Sequence, residues 1–404
     1  MKKLKKLWVL AYIFIFLALA IVANVNFKEL YSLPEDFVAS YSDVDNVNEH
    51  ALLGGFVKAS LEENQTSVDS NKDKSGTIVF KLFNLIPIKK VNVQILPEEE
   101  VYVGGVPIGL NISTTGAMVI SDTLVSTENG RVETHKNSVL KTGDIITKID
   151  GQEVESISEI EDILAQAADD EVEVEYLRKN AIKTSKVKLL KNAEGQYKLG
   201  LWVRDDISGI GTLTFVDKHT HDYAALGHPV TDGGNVIPIN DGNIYTCSLI
   251  GINKGEKNKP GELKCLFMQS DERGSIEKNT KYGIFGHIDD VENLVDNNLT
   301  AKIGGRLGVV PGRAKIVSSV SGIREEYDIE IIKANFQSKS SDKSIVFRVK
   351  DKRLLELTGG IVQGMSGSPI IQNGKIVGAV THVFLSDPTK GYGVYSDWIV
   401  ENNT

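Results

Sequence analysis

From about Gln196 to Ile399 the chain is written in short β-branched and aromatic runs broken by glycines, with little helical spacing. This pattern constrains the fold more than any other feature. Val, Ile, Tyr and Phe suit a pleated, half-buried surface, and glycine supplies turn conformations that other residues resist. An all-β pair of barrels or a sandwich is the class it favours. The 37 glycines against 10 prolines in 404 residues carry the same preference for turns, and at about 150 residues per domain the length allows two or three domains. Forty-five basic and 54 acidic side chains leave a net charge of −9. With no bulk positive field to hold a polyanion, nucleic acid is excluded as a partner. The cysteines are Cys247 and Cys265 alone, which rules out a disulfide-dense scaffold and a four-cysteine zinc site. Two buried, unpaired thiols are the expected state, because a core this long needs no staple.

At the N-terminus Lys2, Lys3, Lys5 and Lys6 precede an unbroken apolar run from Leu7 to Ala23. Its 17 residues would span about 25 Å as a helix at ~1.5 Å per residue, the short end of a bilayer crossing. Residues 1–25 therefore read as a signal-anchor transmembrane helix with its lysines cytoplasmic and the rest exported. A cleaved signal ending at Ala18-Leu19-Ala20 is the rival, and it exports the rest equally. Residues 26–97 read as linker and preceding strands. Within them Glu62 to Gly76, EENQTSVDSNKDKSG, reads as a solvated linker and as the expected place of a proteolytic cut. Strand text begins at Thr77.

Residues 98–192 carry a recognisable order of parts. An apolar glycine loop, VGGVPIGLNISTTGAMVIS, is followed by LKTGDIITKIDGQEV with its tight Asp150-Gly151 turn. Next come a helix start with Ser158 as the capping serine and apolar Ile160, Ile163 and Leu164, and then an alternating strand from Val172 to Leu177. The segment resembles a PDZ domain, an α/β unit. In that family a glycine loop offers N–H groups to a peptide carboxylate while the adjacent strand pairs with the peptide. The resemblance places that loop at Ile108-Gly109-Leu110-Asn111.

Residues 193–404 hold the chemistry. No phosphate-cradling G-x-x-x-x-G-K-[ST] and no zinc-protease H-E-x-x-H occurs. His219-Thr220-His221-Asp222 is the one dense His/Asp cluster, and its polar surroundings read as a solvated turn, so neither metal nor cofactor is expected. The sharpest signal is Gly364-Met365-Ser366-Gly367-Ser368-Pro369, followed by two β-rich runs around Asn373-Gly374. A nucleophilic serine needs a tight turn that presents its Oγ, and it needs backbone N–H groups nearby to hold a tetrahedral oxyanion. The N–H groups of Gly364 and Ser366, two apart, are the pair used by the chymotrypsin-type template. Among the histidines His228, in Ala225-Leu226-Gly227-His228-Pro229, has the apolar-then-glycine setting suited to a general base. His287 has a similar one, and His382 follows the serine on the hairpin. Nine aspartates lie between His228 and Ser366, so chemistry alone does not choose the orienting carboxylate.

LGLWVRDDISGIGTLTFVD, YAALGHPV and GGIVQGMSGSPIIQNGKIVGAVTHVFLSDPTKGYGVY, in the order anchor, PDZ, serine domain, resemble the stage IV sporulation protein B peptidases of endospore-forming bacteria. The resemblance implies Ser366 as nucleophile, His228 as base and Asp351 as orienting acid in a chymotrypsin-like double β-barrel peptidase domain. It also implies a membrane-anchored, self-cleaving serine endopeptidase in the forespore membrane, its catalytic part in the intermembrane space. There it would cut a membrane-bound regulatory protein and so trigger a late mother-cell sigma factor, with the PDZ domain controlling self-cleavage and recognising the target. An envelope quality-control protease and a non-catalytic PDZ adaptor are the competing functions.

Overall fold

The computed structural model describes residue 12 and residues 36–39, 57–63, 74–95, 100–133, 139–179, 181–232, 235–292, 294–334 and 340–401. The expected membrane anchor lies outside the described residues apart from Tyr12. Among the described residues no helix is long and apolar enough to cross a membrane. β1 (Asp36–Ala39), β2 (Val57–Glu63), β3 (Lys74–Leu82) and β4 (Ile86–Ile95) form a four-stranded sheet in the order β1-β4-β3-β2. Its ladder pairs Glu62 with Thr77 and Glu63 with Gly76. The two ends of the expected linker are therefore strand, and residues 64–73 lie outside the described residues. Exposed Glu62 is compatible with a strand because its side chain faces solvent.

β5 (Glu100–Val103) and β6 (Pro107–Asp122) come next, then β7 (Ile145–Ile149), helix α1 (Ile157–Ala165), β8 (Glu171–Arg178), β9 (Ala181–Lys188) and β10 (Leu201–Asp217). Two of these set the architecture. β6 and β10, 16 and 17 residues long, run antiparallel to one another over most of their lengths. Their outer parts, 117–122 and 201–204, join β7, β8, β9 and α1 around Val119, Ile146, Ile149, Ile160 and Val174. This is the PDZ unit. α1 begins at Ser156, not Ser158: the Ser156 hydroxyl accepts from Glu159 N and the Glu159 carboxylate accepts from Ser156 N, a reciprocal cap.

The inner halves of β6 and β10 belong to a barrel instead. With β11 (Asp222–Ala225), β12 (Ile239–Thr246), the separate hairpin β13 (Ser248–Asn253) and β14 (Glu262–Leu266), β15 (Glu272–Ser275) and β16 (Gly283–His287), the chain completes its first barrel. Pairings run β6-β10-β11-β16, cross a bridge from Ile288 to Gly274, and return through β15 and β12 to β6. Ile108, Leu110, Leu213, Tyr223 and Ile284 fill this ring.

β17 (Thr300–Ile303) pairs with β5, and the second ring follows from β18 (Gly312–Ser318), β19 (Glu325–Ala334), β20 (Ile345–Val349), helix α2 (Lys352–Thr358), β21 (Pro369–Gln372), β22 (Lys375–Val383), β23 (Lys390–Tyr395) and helix α3 (Ser396–Glu401). Its strands close in the order β18-β19-β20-β23-β22-β21 and back to β18. β19 shows why the sequence makes such strands: Tyr327, Ile329 and Ile331 are buried while Asp328 and Glu330 face water. Asn373 and Gly374, with φ of 52° and 77°, make the expected turn between β21 and β22.

The strands refine one expectation and correct another. The expected segments 98–192 and 193–404 share their sheets: β6 starts in the first barrel and runs out into the PDZ unit, and β10 runs back from it into the barrel. Gly116 marks the handover, where a Cβ would lie 2.3 Å from the Ile146 carbonyl oxygen. Ile108-Gly109-Leu110-Asn111 is not a peptide-carboxylate loop. These are strand residues of β6 paired on both sides, with β10 and with β12, so their N–H groups are committed to the ladders. Ile108 and Leu110 are buried in the barrel core.

Candidate active site

Ser366 sits on the turn that enters β21, and β10 holds that turn from below. Thr212 N donates to the Ser366 carbonyl at 3.0 Å, Thr212 Oγ1 to the Gly364 carbonyl at 2.6 Å, and Thr214 Oγ1 to the Gly367 carbonyl at 2.8 Å. Gly367 has φ of 99°, and a Cβ there would lie 2.0 Å from the Thr212 carbonyl oxygen, so only glycine fits. The turn's N–H groups divide cleanly. Those of Gln363, Met365, Gly367 and Ser368 donate to Gly261, Val362, Val380 and Met365 carbonyls. The N–H groups of Gly364 and Ser366 have no acceptor among the described residues, which leaves them available to an oxyanion.

His228 follows Leu226 and Gly227, both left-handed at φ of 71° and 68°. Leu226 in that region is strained, and strain of this kind collects where a site is over-determined by its surroundings. Here the surroundings are the serine turn itself, since Leu226 N donates to Thr212 O and a Cβ on Gly367 would lie 2.6 Å from Leu226 N. His228 Nδ1 is 2.9 Å from the Pro229 carbonyl oxygen. A carbonyl can only accept, so Nδ1 carries the proton and Nε2 keeps its lone pair. Burial holds the imidazole below its ordinary pKa, against smaller opposing effects of the Pro229 carbonyl and Asp342.

His228 and Ser366 line one cavity of about 820 Å³ together with Thr381, His382 and Asp342. The His228 and His382 rings lie 5.3 Å apart, and His382 Nε2 is 3.7 Å from Asp342 Oδ2. Burial, and next the neighbouring His228, lower the His382 pKa. The Ser366 hydroxyl donates to the Thr381 carbonyl at 2.9 Å, so the serine is parked on β22.

The structure brings Ser366, His228 and Gly364 together and leaves Asp351 out. Asp351 caps α2, accepting from Arg353 N at 2.9 Å and from the Arg353 guanidinium at 2.9 and 3.2 Å. That guanidinium lowers its pKa. Asp351 follows β20 and Asp342 precedes it, so the two carboxylates stand at opposite ends of one strand. Asp342 is the carboxylate that sequence reasoning missed; its signal is the polar Ser340-Ser341-Asp342 turn ahead of apolar Ile345. His287 lies elsewhere, 3.3 Å from Asp222 and stacked on His221. No metal-holding cluster of His, Cys, Asp and Glu occurs among the described residues.

A second cavity, of about 450 Å³, opens between α1 and the start of β10, against Ile157, Ile160, Leu199, Gly200, Leu201 and Trp202. It is the concave face of the PDZ unit, remote in sequence from Ile108–Asn111.

Residues 195–400, just over half of the chain, match the SpoIVB peptidase S55 family. The chain belongs to that family. Residues 118–189 of this S55 peptidase match the PDZ domain, beginning where β6 leaves the barrel. The S55 match starts too late to include β5 and the inner half of β6, both of which the barrel uses. Among solved structures the peptidase is similar to the PDZ domain of the SdrC-like protein (Lmo2051) from Listeria monocytogenes, at 23% identity and a TM-score of 0.19, covering 23% of this chain and 90% of that one. It is also similar to the inactive form of the Rv3671c protease, at 12% identity and a TM-score of 0.26, covering 48% and 82%. No curated protein matches the chain. By its family the S55 chain is a serine peptidase carrying a PDZ domain.

Proposed function

We propose that the peptidase is a self-cleaving endopeptidase in which Ser366 is the nucleophile and His228 the base, with His382 and Asp342 behind the base. The observation that carries this is the pair of unpartnered N–H groups at Gly364 and Ser366, in the same cavity as an imidazole whose Nε2 lone pair is free. A rotation of the Ser366 side chain takes its hydroxyl from the Thr381 carbonyl to His228. Oγ then attacks the peptide carbonyl carbon while Nε2 takes its proton, and the oxyanion accepts from Gly364 and Ser366 N–H. The imidazolium returns the proton to the leaving nitrogen as the C–N bond breaks. Water, deprotonated by the same Nε2, releases the acyl group and restores Ser366.

The wider role is proposed on the family match and the sequence resemblance: export through an N-terminal anchor, action between the two forespore membranes, cleavage of a membrane-bound regulator and activation of a late mother-cell sigma factor. The PDZ groove beside Leu199-Gly200-Leu201 takes the place of Ile108–Asn111 as the peptide-docking site, its strand edge and apolar floor suiting an added strand. The test is the full chain beside its Ser366→Ala variant, followed by gel and intact mass. Shortening of the wild type alone supports the reading, and equal shortening of both refutes self-cleavage by Ser366.

A further inference from the structure

The hairpin β13–β14 is an arm that joins the two barrels beside the serine turn. At its root Phe267 stacks on Tyr245 with ring centroids 5.4 Å apart. Along its length Gly255 N donates to Thr358 O, Gln363 N to Gly261 O and Leu263 N to Gln363 O. Gln363 is the residue before Gly364, so the arm is the neighbour on which the oxyanion turn leans. A Cβ on Gly364 would meet the Leu263 side chain at 3.0 Å.

Both cysteines are at the root of this arm: Cys265 lies on β14, and Cys247 is the residue that joins β12 of the first barrel to β13. The ladder pairs Ser248 with Leu266 and Leu249 with Cys265. Side chains two apart along a strand share a face, so Cys247 stands on the face of Leu249 and Cys265, diagonal to Cys265. The thiols are free, Cys247 buried and Cys265 partly exposed.

We propose that Cys247 and Cys265 are a modification site, closing as an intramolecular disulfide that fastens the arm to the first barrel. The oxidant is a disulfide, either a small molecule such as oxidised glutathione or a dithiol–disulfide oxidoreductase. The partly exposed Cys265 thiolate attacks one sulfur of that disulfide and expels a thiolate, giving a mixed disulfide. The Cys247 thiolate then attacks Cys265 Sγ and expels the second thiolate. One S–S bond is exchanged for another, two protons pass from the cysteines to the expelled thiolates, and the oxidant leaves as two thiols. The order follows from access, Cys247 being buried and Cys265 not, and the neighbouring Cys247 lowers the Cys265 pKa in the same sense. The closed loop contains Gly261 and Leu263, the residues that hold Gln363, so cross-linking restricts opening of the arm next to Gly364. None of this depends on the peptidase reading.

The test uses the full chain with Ser366→Ala, equilibrated over graded ratios of oxidised to reduced glutathione and quenched with N-ethylmaleimide. Intact mass, peptide mapping and amide exchange are then read. The expected result is loss of two hydrogens with no maleimide on either cysteine, one cross-linked peptide pair within the chain, and several-fold slower exchange at Leu263 and Gln363. Cys247→Ser is expected to trap glutathione on Cys265. Two maleimide adducts at every ratio, a persistent glutathione adduct in the chain with both cysteines, or a cross-link between chains would overturn the site. Unchanged exchange at Leu263 and Gln363 would overturn the clamp.

Discussion

Asp342→Ala and Asp351→Ala are expected to fail in opposite ways. Asp351 caps α2, and losing such a cap costs about 1 kcal/mol, within roughly 0.5–2. Its ion pair with Arg353, a residue 55% exposed in its side chain, adds only about 0.2–1 kcal/mol. The variant should therefore lose about 0.7–3 kcal/mol of stability and keep its turnover wherever it is folded. Asp342 supports no helix. Its carboxylate reaches His228 through His382 at 3.7 Å, and a triad aspartate bonded directly to its histidine is worth up to about 10⁴ in rate. The looser, partly exposed arrangement here should be worth about 10- to 100-fold in kcat/KM, or roughly 1.4–2.7 kcal/mol of transition-state stabilisation. Urea melts and cleavage of a peptide substrate, measured on both variants below their unfolding transitions, separate the two effects. A folded Asp351→Ala chain without activity beside a fully active Asp342→Ala chain would refute the reasoning and return the acid to Asp351.

Thr212→Val, nearly isosteric, leaves the Gly364 carbonyl without its donor and should cost about 1–3 kcal/mol; full turnover in a thermally destabilised variant would show that the turn's geometry does not limit catalysis. Burial lowers the His228 pKa in the folded chain, so the acid limb of kcat/KM should fall below the ordinary histidine value of ~6.5. The unfolded chain takes that proton first, so the contribution to stability is present above the ordinary value and lost as pH falls through the folded one. His228→Gln should flatten that part of the melting profile. Leu110→Ala should cost about 2–5 kcal/mol as a core cavity without affecting peptide binding at the PDZ groove. Trp202→Ala, at a side chain 63% exposed, should weaken that binding and leave stability unchanged, as fluorescence titration with a peptide bearing a free C-terminus would report.

What the sequence made legible was local chemistry. Gly364 and Gly367 around Ser366 announce a turn whose backbone no other residue follows, and Asn373-Gly374 announces its hairpin, because each depends on φ at one or two residues. The PDZ parts were legible for the same reason: the Asp150-Gly151 turn and the apolar spacing of α1 are short-range signals. Ile108–Asn111 was misread because a strand in a barrel core and a strand beside a binding loop alternate identically. β6 passes from one domain to the other without a turn to mark it. The approach of Asp342 to His382 was out of reach because the two meet only when β20 and β22 close around β23 in the second ring, and nothing near Asp342 in sequence encodes that closure.

The same continuity makes β10 common to both cavities. Leu201 and Trp202 edge the PDZ groove, Ile207 to Ile210 line the larger cavity, and Thr212 and Thr214 hold the serine turn. A paired strand cannot slip by one residue without turning its core face outward, so coupling through β10 would have to take the form of a tilt, not a slide. The register shift between Arg204 and Asp206 is where its pairing with β6 gives way between the two halves. A peptide that binds the groove and changes the peptidase's affinity for a substrate-like inhibitor must have its own affinity changed by the same factor when that inhibitor is bound. Titrating each ligand in the presence of the other measures that factor twice. Substitution of Thr212 should reduce it, because the hydroxyl is one of three links between strand and turn, beside Thr212 N–H and the Thr214 hydroxyl. An unchanged factor in Thr212→Val would mean that this hydroxyl carries none of the coupling, which then runs through the Thr212 N–H, the Thr214 hydroxyl or β6, or does not exist.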